Sequence, residues 1–135
     1  MEWTGERTWL IRNEGLQDIF GGPPPVFGGL GGRWSPEELM LASVNSCHLA
    51  TFLSYSKRKG FEFVSYSSSI EGVLEYTENG YSFTRMIVRP KVVVKTKEDI
   101  EKAKEYLERA HELCFMSNSV KSEVTLEPEI EVAEN

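Results

Sequence analysis

The sequence has few cysteines, few histidines and no excess of positive charge. With two cysteines in 135 residues, it lacks the cysteine density of a small secreted domain held by disulfides. Its 15 basic and 21 acidic residues give a net charge of −6, so the basic footprint of a nucleic-acid-coating protein is missing. The same charge disfavours attraction to anionic membrane surfaces. No apolar run approaches the roughly 18 residues that a membrane-spanning helix needs. We therefore expect neither a nucleic-acid nor a membrane partner.

The N-terminal segment lacks the basic-then-apolar order of a signal peptide, and we therefore predict a cytoplasmic protein. The length of 135 residues fits one domain that covers residues 1–135. Hydrophobic residues make up 40% of the chain and charged residues 27%, which is typical of a globular protein and not of a disordered one.

Local patterns predict an α+β domain with the element order β-β-α-β-β(-β)-α-β. Short connections that contain Asn and Gly indicate two β-hairpins, one over residues 6–20 and one that turns at residues 78–80. Residues 21–32 hold six glycines and three prolines and are predicted to form a packed loop. Pro90 is expected at a sheet edge or a bulge, and a last strand pair is expected within residues 123–132.

Several start signals agree that a long helix begins at Ser35. Ser35 is a good N-cap, Pro36 suits the first turn, and Glu38 completes a capping box. The helix is predicted to end at Lys59, because Gly60 follows as a stop signal. Apolar residues occupy every face of its middle part, so it is expected to be buried on all sides. A chain of this size cannot enclose such a helix fully, and we predict a homodimer in which a second subunit covers part of it.

A second helix is predicted from Thr96 and Asp99 to about Cys114. Its apolar residues recur at i, i+3 and i+4 and form one stripe opposite a charged face. They are Ile100, Ala103, Tyr106, Leu107, Ala110, Leu113 and Cys114. The pattern predicts an amphipathic helix in which Cys114 continues the buried face.

Cys47 lies inside the first predicted helix, and Cys114 lies at the end of the second. Two interpretations are open from these residues. In the first, both are buried free cysteines that pack as small hydrophobic side chains. In the second, they form a redox pair, with a thiolate that attacks peroxide and a second thiol that resolves the product. Sequence separation does not decide between them, because pairing depends on the fold.

A metal site is a further alternative, because the chain has one set of soft ligands: Cys47, His48, His111 and Cys114. His111 and Cys114 are three residues apart on one helix and are suitably placed to share an ion. Cys47 and His48 are adjacent on a helix, so their side chains point about 100° apart and do not readily reach one zinc. We expect both histidines to be structural, and a metal-dependent structural or hydrolytic protein remains an alternative.

The segment that leads into the first helix resembles the OsmC/Ohr family of osmotically inducible and organic hydroperoxide resistance proteins. A Gly-Gly loop is followed by Ser-Pro-Glu-Glu-Leu at residues 35–39, and Cys47 comes ten residues after Glu37. The segment from Ala110 to Ser117 is similar to the context of the second family cysteine, except that Phe115 stands in place of a proline.

The resemblance implies a cysteine-based thiol peroxidase that reduces organic and inorganic hydroperoxides without a metal or organic cofactor. It implies an OsmC-like fold, with antiparallel sheets around long central helices, in an intertwined homodimer whose active sites lie at the subunit interface. By this resemblance, Cys47 is the peroxidatic nucleophile and Cys114 is the resolving cysteine. A disulfide between them would then be reduced by an external dithiol.

The resemblance also makes Glu37 the acid that orients an arginine beside the thiolate, which lowers the pKa of the cysteine. The arginine of some family branches falls on Phe27, and Arg33 or Arg12 is the expected substitute. Ten residues of helix place Glu37 about 15 Å along the axis from Cys47. Glu37 is therefore expected to act through the arginine or to reach Cys47 of the partner subunit.

Phe27 and Trp34 suggest an apolar wall that suits a bulky organic hydroperoxide, or side chains that merely anchor the loop. Because a fold does not fix a function, a second function stays open. It is a non-enzymatic protein that binds a small molecule in an apolar pocket of the same scaffold.

Overall fold

The computed structural model describes residues 1–134 and divides into two compact units, of which the first is Met1–Met40 and the second begins at Leu41. The prediction of one domain over residues 1–135 stays a prediction. Among the described residues, no helix is both long enough and apolar enough to cross a membrane.

The first unit contains a three-stranded antiparallel sheet in the order β1-β2-β3. Its strands are β1 (Glu2–Gly5), β2 (Thr8–Ile11) and β3 (Ile19–Gly21). The predicted hairpin is confirmed as β2 and β3. Strand β1 was not predicted, because its four residues show no alternation and the tight turn that follows depends on Glu6 at a positive φ of 47°.

The glycine- and proline-rich segment after β3 is a packed loop, as predicted. It contains one turn of 3₁₀ helix at Pro25–Phe27, and the Arg7 Nη1 group donates a hydrogen bond of 2.8 Å to the Phe27 carbonyl. Gly29 is required by close approach, because a Cβ atom there would lie 1.8 Å from the Pro23 carbonyl oxygen. The loop is therefore held in one shape by its own backbone contacts.

Helix α1 covers Pro36–Lys59, as predicted. The Ser35 Oγ atom accepts the Glu38 backbone N–H at 3.1 Å and donates to the Glu38 carboxylate at 2.9 Å. Gly60 ends the helix with a φ of 65°, a left-handed conformation that favours glycine. The predicted start and stop signals are therefore confirmed.

Burial along α1 differs from the prediction of a helix enclosed on all sides. Within one chain the fully buried residues follow a single stripe at four-residue spacing: Val44, His48, Phe52 and Ser56. Met40 and Leu53 remain 39% and 46% exposed. A single chain therefore covers one face of this apolar helix and leaves the rest open.

The second unit contains a four-stranded mixed sheet and two further helices. The strands β4 (Ser65–Thr77) and β5 (Gly80–Val94) form a long antiparallel hairpin. The strands β6 (Glu123–Leu126) and β7 (Glu129–Val132) both pair with β5 in parallel. The expectation of antiparallel sheets was therefore wrong for this sheet, and the two last strands do not form a pair with each other.

Pro90 lies inside the central strand and not at an edge or a bulge, which corrects the prediction. It is buried and faces Ser68 of β4 in register. On the other side, β6 pairs with β5 up to Val88, and β7 pairs from Lys91 onward. Pro90 is tolerated because pairing is interrupted opposite it, where a missing N–H costs little.

Helix α2 covers Asp99–Leu113, and a short helix α3 covers Phe115–Ser119. Cys114 lies between them in an extended conformation, so it ends the amphipathic helix as expected, but α3 was not predicted. Buried residues from α1, β5 and α2 form the main core: Phe52, Val92, Val94, Ala103, Leu107 and Ala110. Both cysteine-bearing elements are thus anchored on the same sheet.

Candidate active site

The structure brings Cys47 and Cys114 close together. Cys47 lies in the middle of α1 and is half-buried, whereas Cys114 lies at the break between α2 and α3 and is fully buried. The two thiols are free, and they are near enough that each shifts the pKa of the other. The two cysteines therefore form a pair of unequal exposure, in which Cys47 is the more accessible residue.

Hydrogen bonds lower the pKa of the Cys47 thiol below its ordinary value. Burial alone raises this pKa, but the Met116 backbone amide, the Cys114 thiol and two weaker donors outweigh it. The Thr51 hydroxyl lies 4.0 Å from Cys47 Sγ, but its hydrogen donates to the Cys47 carbonyl at 2.8 Å, so its contact with the sulfur is weak. The backbone amides of α3 and the second thiol therefore favour the thiolate form of Cys47.

Cys114 behaves in the opposite way, because burial raises the pKa of its thiol. The side chain and backbone amide of Ser117 oppose this rise, while the neighbouring Cys47 adds to it. The pair is therefore asymmetric. Cys47 is the cysteine that loses its proton more easily, and Cys114 keeps its proton next to it.

His48 and His111 form a hydrogen-bonded pair that touches Cys114. The Nε2 atom of His48 lies 2.9 Å from Nδ1 of His111, and the rings stack with centroids 5.1 Å apart. The Nδ1 atom of His48 lies 2.9 Å from the Val44 carbonyl and 3.4 Å from Cys114 Sγ. Burial lowers the pKa of His48, with a further lowering from the charge of His111.

Sequence reasoning did not anticipate the contact between His48 and Cys114. Neighbouring side chains on a helix diverge, so His48 was not expected to face Cys47, and no pattern joined it to a cysteine on another helix. The sequence feature that pointed toward this cluster was the three-residue spacing of His111 and Cys114 on one helix. Among the residues that the structure describes, no group of three or more His, Cys, Asp or Glu side chains is arranged to hold a metal ion.

The other predicted site residues, Glu37 and Arg33, belong to the first unit. The Arg33 guanidinium lies 5.7 Å from the centre of the Phe20 ring and lines a cavity of about 160 Å³ together with Arg7. Arg12 forms ion pairs of 2.6 Å with Glu2 and 3.5 Å with Asp18. Arg12 thus already has two carboxylate partners.

Glu37 lies in the first turn of α1 and is only partly accessible. Its Oε2 atom is buried and has no hydrogen-bond partner within residues 1–134. A buried carboxylate oxygen without a donor is costly, and such a group requires a partner or an explanation.

Two exposed apolar side chains, Phe115 and Met116, directly follow Cys114 in the second unit. Phe115 and Met116, whose backbone amides donate to Cys47, are 76% and 40% exposed. The sequence had pointed instead to Phe27 and Trp34, which belong to the first unit and are also exposed. In the sequence, this apolar surface corresponds to Phe115, which stands where the family has a proline after the second cysteine.

Comparisons with known proteins agree on one family. The family described as OsmC-like protein matches residues 29–129. A Bacillus subtilis (strain 168) protein, the uncharacterized protein YmaD, is 26% identical over 112 residues, which cover 81% of this chain and 75% of that protein.

Two solved structures have the same fold. An OsmC-like protein of unknown function from Vibrio cholerae O1 biovar eltor str. N16961 is 29% identical with a TM-score of 0.83, covering 90% of this chain and 84% of that chain. An organic hydroperoxide resistance protein from Elizabethkingia anophelis is 20% identical with a TM-score of 0.76, covering 96% of this chain and 92% of that chain. The mixed α+β fold with two sheets is therefore shared with these proteins.

Proposed function

The chain belongs to the OsmC-like protein family, and on that premise we propose that it is a cysteine-based thiol peroxidase that reduces organic hydroperoxides. The observation that carries the proposal is the proximity of Cys47 and Cys114, whose thiol pKa values shift in opposite directions. A peroxidase of this type needs one thiol that ionises readily and a second thiol next to it. The name of the Elizabethkingia relative, an organic hydroperoxide resistance protein, supports the same activity.

In the first step, the Cys47 thiolate attacks the terminal oxygen of the hydroperoxide. The O–O bond breaks, the sulfur is oxidised to sulfenic acid, and the alkoxide leaves and takes up a proton to become the alcohol. The amide hydrogen bonds from Met116 and Phe115 favour the thiolate that this step requires. Cys47 is only partly buried, which supports access of the substrate to this residue.

In the second step, Cys114 attacks the sulfur of the Cys47 sulfenic acid. The new S–S bond forms as the S–O bond breaks, and the hydroxide that leaves combines with the Cys114 proton to give water. An external dithiol then reduces the disulfide and restores both thiols. The proximity of the two side chains supports this capture.

We assign Glu37 and Arg33 supporting roles in this proposal. The buried Oε2 atom of Glu37, which lacks a hydrogen-bond donor among the described residues, supports the idea that Glu37 receives a guanidinium group. Arg33 is the preferred source, because Arg12 is already engaged by two carboxylates. Loss of peroxide turnover in Arg33→Ala with retention in Arg12→Ala would support this choice, and the reverse result would contradict it.

The exposed apolar residues of α1 support a homodimer as the working form. Met40 and Leu53 are exposed in one chain although the helix is apolar on most faces. Because less than half of each residue is exposed, burying the remainder is favourable by roughly 1 kcal/mol each, and a second subunit is the simplest cover for them.

The direct test is peroxide consumption with dithiothreitol as reductant. The native protein should consume cumene hydroperoxide over many turnovers, and Cys47→Ser should abolish the reaction. In the absence of dithiothreitol, Cys114→Ser should react once and then accumulate sulfenic acid or over-oxidised Cys47. A native protein that consumes no more peroxide than Cys47→Ser would contradict the proposal and would favour a non-enzymatic binding protein.

A further inference from the structure

We propose that His48 is a catalytic hydrogen-bond donor to the Cys114 sulfur, one that assists formation and reduction of the Cys47–Cys114 disulfide. The inference rests on the proposed function for its biological setting. It concerns the second cysteine and not the peroxide-reducing step, and it makes His48 part of the chemistry and not merely of the helix packing.

The first argument is the tautomer of His48. Its Nδ1 atom lies 2.9 Å from the Val44 carbonyl oxygen, and a carbonyl oxygen only accepts hydrogen bonds. Nδ1 therefore carries the proton, and in the neutral ring Nε2 is the acceptor. His111 Nδ1 at 2.9 Å and the Ser117 hydroxyl at 3.5 Å are the donors available to Nε2. The burial that lowers the pKa of His48 keeps this neutral form dominant near pH 7.

The second argument is the position of that N–H group. Cys114 Sγ lies 3.4 Å from the same Nδ1 atom, so the single N–H is shared between the Val44 carbonyl and the sulfur as a three-centre hydrogen bond. A fully buried thiol carries a high cost of ionisation, because burial removes the water that would stabilise its charge. A hydrogen bond to a charged acceptor is roughly twice as strong as one to a neutral acceptor. The His48 N–H therefore stabilises the Cys114 thiolate more than the thiol.

The third argument is where negative charge develops during the redox cycle. Cys114 must approach the thiolate state when it attacks the sulfur of oxidised Cys47. When an external thiol attacks the disulfide, Cys47 is the accessible sulfur, so Cys114 is the leaving thiolate. The His48 N–H faces the sulfur that gains charge in both directions, and it keeps its own proton throughout.

A reagent that bypasses peroxide tests the inference directly. Reduced protein mixed with the disulfide reagent dithionitrobenzoate should release two thionitrobenzoate ions in sequence. The first comes from attack by the exposed Cys47 thiolate, which forms a mixed disulfide. The second comes when the Cys114 thiolate attacks the Cys47 sulfur of that mixed disulfide, which closes the Cys47–Cys114 bond. The rate of the second release, divided by the rate of the first, therefore measures the reactivity of Cys114.

Three substitutions separate hydrogen bonding from packing. His48→Leu removes the donor, and His48→Gln carries an amide that reaches the Nε2 position and not the Cys114 side. His48→Asn places an amide N–H near the original Nδ1 position. We expect the rate ratio to be about 10- to 100-fold lower in His48→Leu and His48→Gln than in the native protein. In His48→Asn we expect it to lie within about threefold of the native value. If the Leu variant does not fold, the comparison of Gln with Asn decides.

Two results would overturn the inference. If the rate ratio of His48→Gln equals that of the native protein, the His48 N–H does not assist the reaction of Cys114. An Asn variant as slow as Gln would mean that His48 acts only through the shape of its ring. A native protein that closes the disulfide with this reagent but consumes no peroxide would overturn the proposed function alone, while the ratios of the variants would still decide the role of His48.

Discussion

The Cys47 and Cys114 thiols lie close enough to shift the pKa of each other, although one lies in the middle of α1 and the other in the break between α2 and α3. The break matters because it turns the backbone amides of Phe115 and Met116 toward Cys47 and lowers the pKa of its thiol. The same arrangement buries Cys114 completely, which raises the pKa of that thiol. The break between α2 and α3 thus gives the two neighbouring cysteines different pKa values and different exposure.

Alkylation should distinguish the two cysteines. At neutral pH we expect iodoacetamide to modify Cys47 at least about tenfold faster than Cys114, because thiolate fraction and exposure both favour Cys47. Timed quenching followed by peptide mass mapping measures both rates. Cys114→Ala should slow alkylation of Cys47, because a hydrogen-bond donor is lost, while Cys114→Ser should preserve it. Equal rates at the two cysteines would contradict the asymmetry.

Stability should fall on the acid side of neutrality because of His48. Burial lowers its pKa below the ordinary value of 6.5, so between these two values the unfolded chain binds more protons than the folded one. The free energy of unfolding should therefore decrease as the pH falls below about 6.5, by at most about 1.4 kcal/mol per pH unit for this group. The decrease should level off once the pH passes below the pKa of folded His48.

Urea unfolding at several pH values between about 5 and 7.5 measures this dependence. His48→Gln removes the titrating group and should flatten the curve over that range. An unchanged slope in the Gln variant would show that the pH dependence comes from other groups.

The exposed apolar face of α1 should govern the oligomeric state. We expect native protein to have twice the mass of the 15.3 kDa chain in light scattering. Leu53→Asp should shift the protein toward monomer, because a carboxylate would have to be buried at the contact between subunits. Val64→Asp is the matched control, since Val64 is also exposed but lies outside α1. A monomeric native protein would contradict the dimer.

Substrate preference should depend on the apolar surface beside Cys47. We expect cumene hydroperoxide to react faster than hydrogen peroxide, because Phe115 and Met116 offer the organic group an apolar contact. Phe115→Ala should reduce this preference by roughly tenfold or less, which corresponds to about 1 kcal/mol of lost apolar contact. Stopped-flow rate constants for both peroxides measure the preference. An unchanged ratio in Phe115→Ala would place the organic group elsewhere.

Local signals were sufficient to predict the parts of the fold that local interactions determine. The capping box at Ser35, the stop at Gly60 and the amphipathic stripe of α2 act within a few residues, and the structure confirms each of them. The parallel pairing of β6 and β7 with β5 was not predictable. The sequence of a four-residue strand does not show which distant strand it pairs with. Pro90 was misplaced for the same reason.

The candidate site was predicted in part. The resemblance to a known family suggested Cys47 and Cys114 as a pair, and in the structure each lies near enough to shift the pKa of the other; their catalytic roles stay a prediction. The contact between His48 and Cys114 depends on how two helices pack, so the order of residues along the chain did not reveal it. The break that forms α3 depends on the same packing.

The most direct test of the central claim is a thiol count after one equivalent of cumene hydroperoxide, with mass mapping of the cysteine peptides. The account predicts the rapid loss of two thiols per chain, a disulfide between Cys47 and Cys114, and no reaction of this kind in Cys47→Ser. Two thiols per chain that survive excess peroxide for minutes would contradict it.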